Sequence, residues 1–150
     1  MADDYVKDFV RRQKDKAEQQ RQEQEQEQAR RNKQAGERLI VQAKAPVLWN
    51  ELRNLIKEKV DEANRLAGGI IVTLLSQDGD EVVVRGTGYA TSHLRYSRGT
   101  HIIEYMPSAT SLPQRFIAAA YGNDVQFCDE RTHVPVTAND IVKTLFDGLQ

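Results

Sequence analysis

Residues 70–85 read Ile70-Ile71-Val72-Thr73-Leu74-Leu75-Ser76-Gln77-Asp78-Gly79-Asp80-Glu81-Val82-Val83-Val84-Arg85. Two β-branched apolar runs of strand length flank an Asp-Gly pair, the strongest short-range signal for a hairpin. Ile70–Leu75 and Glu81–Arg85 are therefore expected to pair as antiparallel neighbours.

Downstream the same pattern recurs. Gly86-Thr87-Gly88 bends the chain, and a third strand is expected over Ala90–Tyr96. A fourth covers His101–Tyr105 and is stopped by Pro107. Arg115–Tyr121 and Val125–Cys128 form the fifth and sixth, joined through Gly122-Asn123-Asp124. Short turns demand antiparallel pairing, because parallel neighbours need a crossover of about a dozen residues or more. The reading is a meander of five or six strands. If Arg98-Gly99 is a two-residue turn, His93 faces Glu104 and His101 faces Tyr96.

Two amphipathic helices bracket the strands. Pro46 suits a first helical position, where its missing N–H would be unpaired in any case. Leu48, Leu52, Leu55, Ile56, Val60, Ala63 and Leu66 then follow at steps of mostly three and four, which is one helical face. Trp49 sits at the edge of that stripe, and Gly68 can take the left-handed conformation that closes the helix. The second helix opens at Thr137-Ala138-Asn139-Asp140, a capping box with Asp in place of Glu. Ile141, Val142, Leu145, Phe146 and Leu149 form its apolar face. The fold class is α+β: an N-terminal charged helical arm, a central amphipathic helix, an antiparallel meander and a C-terminal helix. Both helices are expected on one face of the sheet, giving two layers.

The arm is residues 1–44 and the domain 45–150. From Arg11 to Glu37 only Ala17, Ala29 and Ala35 are apolar, and Gln alternates with Glu through residues 22–28. These are good helix formers, but a coiled coil needs two apolar positions per heptad and the segment lacks them. It reads as a solvated helix or a disordered tether with helical bias. Eleven basic residues stand against nine acidic ones. At its tip Tyr5, Val6, Phe9 and Val10 share one helical face, a candidate docking patch. Leu39, Ile40 and Ala43 reintroduce apolar residues, with Gly36 as a hinge between arm and domain.

Composition excludes several classes. Across 150 residues Lys+Arg is 21 and Asp+Glu is 22, a net charge of −1 without the basic excess of a nucleic-acid binder. Weak contact with a membrane surface through Arg11-Arg12 and Arg30-Arg31 stays compatible with the sequence. No run approaches the ~20 apolar residues of a membrane span. The opening Met-Ala-Asp-Asp lacks the basic-then-apolar order of a secretory signal. With Cys128 as the sole cysteine there is no intrachain disulfide, and a cytoplasmic location is expected.

No catalytic constellation stands out. Gly86-Thr87-Gly88 is not followed by the helix that a dinucleotide fingerprint requires. His93 with Glu104 would be a base and its orienting carboxylate, but no nucleophile accompanies them. Cys128 reads as a small buried hydrophobe, with His133 its nearest histidine in sequence. Short-spaced His/Cys ligands are lacking, so neither a metal nor a cofactor is expected. What remains is an amphipathic surface. Tyr96, Tyr105 and Tyr121, beside Arg85, Arg95 and Arg115, are expected on the sheet face that the helices leave uncovered. Tyr and Arg are favoured at protein interfaces. The sequence thus reads as a non-catalytic interaction or scaffold protein, with a protein partner or a second copy as its target. The alternative is a binding module for a small apolar ligand held between helix and sheet.

Overall fold

A computed structural model describes residues 3–108 and 113–150. The elements are α1 (Asp4–Ala67), β1 (Val72–Asp78), β2 (Glu81–Gly86), β3 (Thr91–Ser97), β4 (Ile102–Pro107), β5 (Gln114–Tyr121), β6 (Asp124–Asp129), β7 (Pro135–Val136) and α2 (Ala138–Asp147). Among the described residues seven strands form one antiparallel sheet in the order β1-β2-β3-β4-β5-β6-β7, so each pairs with its neighbour in sequence. The α+β meander read from the sequence is the observed fold, with seven strands rather than five or six. The extra strand pairs Val136 with Phe127 and Pro135 with Cys128. A two-residue edge strand containing Pro gives no alternating pattern to read, and Pro is tolerated there because an edge needs no outward N–H.

The chain divides into two compact units, Met1–Arg38 and Leu39–Gln150. The second unit begins ahead of the boundary at 44/45 that the sequence indicated, because Ile40 and Val41 pack on the core and Ala45 is fully buried. Gly36 lies within α1 and breaks nothing. Pro46 also lies inside that helix, and does not start it. An interior proline loses one backbone hydrogen bond and strains its turn, at about 3 kcal/mol. Burial of Ala45 and Trp49 on either side, together with the Gln, Ala and Lys that precede it, keeps the turn helical.

The core lies between α1, α2 and one face of the sheet. Ala45, Trp49, Leu52, Ile56 and Val60 form a single buried stripe along α1, spaced by three or four residues. Trp49 is at its centre, not its edge. Its Nε1 donates to the Gly79 carbonyl at 2.7 Å, and its ring stacks on Tyr96 with centroids 5.4 Å apart. Leu66, expected on this stripe, is 77% exposed, since the helix ends one residue later and has run past the sheet. In α2, Ile141, Val142 and Leu145 are buried against the same sheet face. Its capping box is complete: Asp140 N–H donates to Thr137 Oγ1 at 3.1 Å and Thr137 N–H donates to Asp140 Oδ2 at 2.9 Å. The C-terminal end of α2 packs tightly, with Ser92 Oγ donating to the Leu145 carbonyl at 2.8 Å and Gly148 lying against Ser92 and Tyr105.

Candidate functional site

Side chains alternate across a sheet, so the register decides which residues face the helices. Burial alternates along β2, β3 and β4, with Val82, Val84, Ser92, Leu94, Tyr96, Ile103 and Tyr105 turned inward. The opposite face is built from the residues between them. One row of in-register partners runs Glu81, Arg95, Glu104 and Arg115 across β2 to β5. A second row, Val83, His93 and Met106, lies on one side of it. A third, Ser97, Ile102, Ile117 and Cys128, lies on the other. No described element of the Leu39–Gln150 unit covers this face, and apart from Cys128 its residues keep solvent contact.

The residues expected here divide. Arg115 and Tyr121 are on the solvent face, as are Arg85 and Arg95. Tyr96 and Tyr105 are on the core face, 2% and 5% exposed. Each alternates with a charged neighbour, Arg95 or Glu104, and the pleat turns the aromatic ring inward. That strict alternation was the signal that would have placed them. In the other unit, Tyr5, Val6, Phe9 and Val10 are exposed along the arm helix.

The β3–β4 connection also differs from the expected two-residue turn. Ser97 pairs with Ile102, leaving the four residues Arg98–His101 between the strands, with His101 at φ +55°. The register therefore shifts by two residues, and His93 pairs with Met106 rather than Glu104. His93 instead places Nε2 2.6 Å from Glu81 Oε1, near enough for an ion pair but not aligned for a hydrogen bond. His101 does meet Tyr96, Nδ1 lying 2.7 Å from the phenol oxygen. Burial raises the Tyr96 pKa above the ordinary tyrosine value of 10.0, with Arg98 opposing and Asp80 reinforcing the shift.

Two further groups sit near the rim. Tyr121 Oη lies 3.0 Å from the buried Cys128 sulfur, and that hydrogen bond raises the Tyr121 pKa. Asp129 accepts from Gln114 Nε2 at 2.8 Å, which is the main reason its carboxyl pKa is lowered. Gly86-Thr87-Gly88 ends β2 and turns into β3. Among the described residues no group of three or more His, Cys, Asp or Glu is placed to hold a metal ion. No helix there is long and apolar enough to cross a membrane.

A separate concavity of about 180 Å³ lies between α1, β6, β7 and α2. Leu48, Leu52, Phe127, Val136 and Ile141 give it apolar walls, and Glu51, Gln126 and Thr137 are the polar residues of its lining. One wall is β7, a strand too short to leave an alternating pattern in the sequence.

The class that this architecture defines is a two-layer α+β protein, an antiparallel meander with both helices on one face. A solved structure of frataxin from Psychromonas ingrahamii, of the CyaY protein family, is similar at 14% sequence identity. The match covers 63% of this chain and 78% of that one, with a TM-score of 0.46. No protein-family model matches the chain, and no curated protein matches it.

Proposed function

We propose that this protein is a non-catalytic interaction module that uses the solvent face of its sheet to bind a protein surface. The observation that carries the reading is a sheet face with Val83, Ile102, Met106 and Ile117 half exposed among Arg85, Arg95, Arg115 and Tyr121. Apolar rows interleaved with arginine and tyrosine match the composition of interface cores and rims. The patch at Tyr5, Val6, Phe9 and Val10 provides a second contact on the arm.

A photo-crosslinking residue tests this. Placed at Ile117 in the full chain inside cells, it should yield a discrete protein adduct, whereas the same residue at Glu58, exposed on the outer side of α1, should not. Equal labelling at both positions, or none at Ile117, would sink the reading.

The concavity between α1, β6, β7 and α2 favours a second reading, a site for a small apolar ligand. Its 180 Å³ is close to the ~150 Å³ of an engineered apolar cavity that admits benzene. Thermal upshift with benzene-sized apolar compounds, lost in Ala138→Trp, would support it. No shift across such compounds would remove it.

A further inference from the structure

We propose that the occupant of the solvent sheet face is the same face of a second copy of this chain. The two copies are related by a two-fold axis that runs along the strands between β3 and β4. This rests on the interaction reading above and names its partner.

The central row carries the argument. Glu81, Arg95, Glu104 and Arg115 are consecutive in-register partners across β2, β3, β4 and β5, so the charges alternate in sign across four strands. A two-fold axis parallel to the strands and midway between β3 and β4 reverses strand order while keeping position along each strand. Arg95 then lies opposite Glu104 of the second copy, and Glu81 lies opposite Arg115 of the second copy. Every contact in the row is between opposite charges. An axis in the sheet plane but across the strands would keep strand order and set each charge against its own like. The row thus selects an axis along the strands, and centring it between β3 and β4 pairs these four charges among themselves, closing an isologous dimer.

Arg95 gives independent support. It is exposed and flanked in register by two carboxylates, yet among the described residues it forms no ion pair. Glu81 leans to His93 at 2.6 Å, and Glu104 to Arg115 at 3.4 Å. The Arg95 guanidinium is left to reach outward from the sheet. The same axis sets His93 opposite Met106 and Ser97 opposite Ile102, with Ile117 beside them, so apolar area is buried on both sides of the charged row. Face-packed sheets align to within about 30° because each is twisted, which confines contact to the central strands. Asp78 and Glu130, at the outer ends of the row, are carried apart by that twist.

Sedimentation equilibrium on the full chain tests the proposal, with wild type, Arg95→Glu, Glu104→Arg and an equimolar mixture of the two variants. Wild type should dimerise, and added salt should weaken the dimer by screening. Each single variant sets like charges against each other twice in its own dimer, and its dissociation constant should rise at least about tenfold, the ratio for 1.4 kcal/mol. In the mixture the acidic variant meets the basic one, so both contacts become attractive and the dimer returns, with native mass spectrometry showing one copy of each. That recovery cannot come from misfolded variants.

Monomeric wild type, single variants that dimerise as wild type does, or a mixture that stays monomeric would each overturn the proposal. An adduct at Ile117 with a different protein, on a monomeric chain, overturns the second copy and leaves the interaction reading standing. An Ile117 probe that captures nothing overturns both.

Discussion

The side-chain amide of Asn64 occupies the free edge of the sheet at Val72. Asn64 Oδ1 accepts from Ile71 N–H at 2.9 Å and Val72 N–H at 3.0 Å, and Nδ2 donates to the Val72 carbonyl at 2.9 Å. One side chain on α1 thus stands in for a neighbouring strand where β1 begins. Unpaired edge groups are templates for pairing with another chain, so the plug blunts this edge.

Removing it should be expensive. Asn64→Ala leaves three backbone groups to find water at a partly buried edge, and stability should fall by about 1–3 kcal/mol. Asn64→Asp keeps the acceptor and loses the donor, so it should fall between wild type and Ala. Urea unfolding followed through Trp49 fluorescence measures both, and an Ala variant as stable as wild type would show that the plug carries no weight.

Gly148 meets the sheet too closely for any other residue. A Cβ there would lie 2.6 Å from Ser92 Oγ and in collision with the Tyr105 hydroxyl. Gly148→Ala should destabilise the domain by about 1–3 kcal/mol through overpacking. Adding Tyr105→Phe removes the nearest clashing atom and should restore part of that loss. A double variant no better than Gly148→Ala would place the strain elsewhere.

Alkaline stability should depend on Tyr96. Its folded-state pKa is raised, chiefly by burial, so the folded protein holds the phenol proton where the unfolded chain releases it. The contribution is complete below about pH 10 and is lost as the pH climbs from there through the folded value. Tyr121 acts in the same direction through its hydrogen bond with Cys128. Unfolding free energy measured between pH 8 and about 12 should therefore decline above about pH 10, less steeply in Tyr96→Phe, though not flat. Identical slopes would count against the Tyr96 contribution.

The arm's helicity should rest on ion pairs between successive turns. Glu27 lies 2.7 Å from Arg30 and 3.2 Å from Arg31, and Arg21 is flanked by Glu18 and Glu25. Each such exposed pair stabilises a helix by only about 0.3–0.5 kcal/mol. Glu27→Lys replaces two attractions with repulsions and should lower ellipticity at 222 nm at low salt, with the difference narrowing as salt is added. The unfolding midpoint reported by Trp49 should not move.

Local chemistry made much of this fold legible. The Asp-Gly turn, the Thr137–Asp140 cap and the β-branched run of β2 are each written in a few adjacent residues, and each stands as read. Longer-range facts were hidden. Pro46 signals a helix start on its own, and only packing of Ala45 and Trp49 onto a distant sheet overrides it. The β3–β4 register depended on whether two or four residues turn the chain, and Arg98-Gly99 alone could not show that His101 would take a left-handed conformation. Misplacing that turn misassigned the partner of His93. For the solvent face, Arg115 and Tyr121 were found from composition, but the ordered charge row emerged only once four strands had been set in register.

A sheet whose spatial order repeats its order along the chain also constrains how the protein comes into being. Each strand emerging from the ribosome meets, as its immediate predecessor, the strand it will pair with for good. No segment must be threaded between two already joined, and no distant partner must be awaited. Closing such short loops is entropically cheap, so β1 to β6 can add one hairpin at a time during synthesis. The apolar stripe of α1 is the exception, made first and exposed until those hairpins exist. That interval is when a nascent chain has most need of a chaperone.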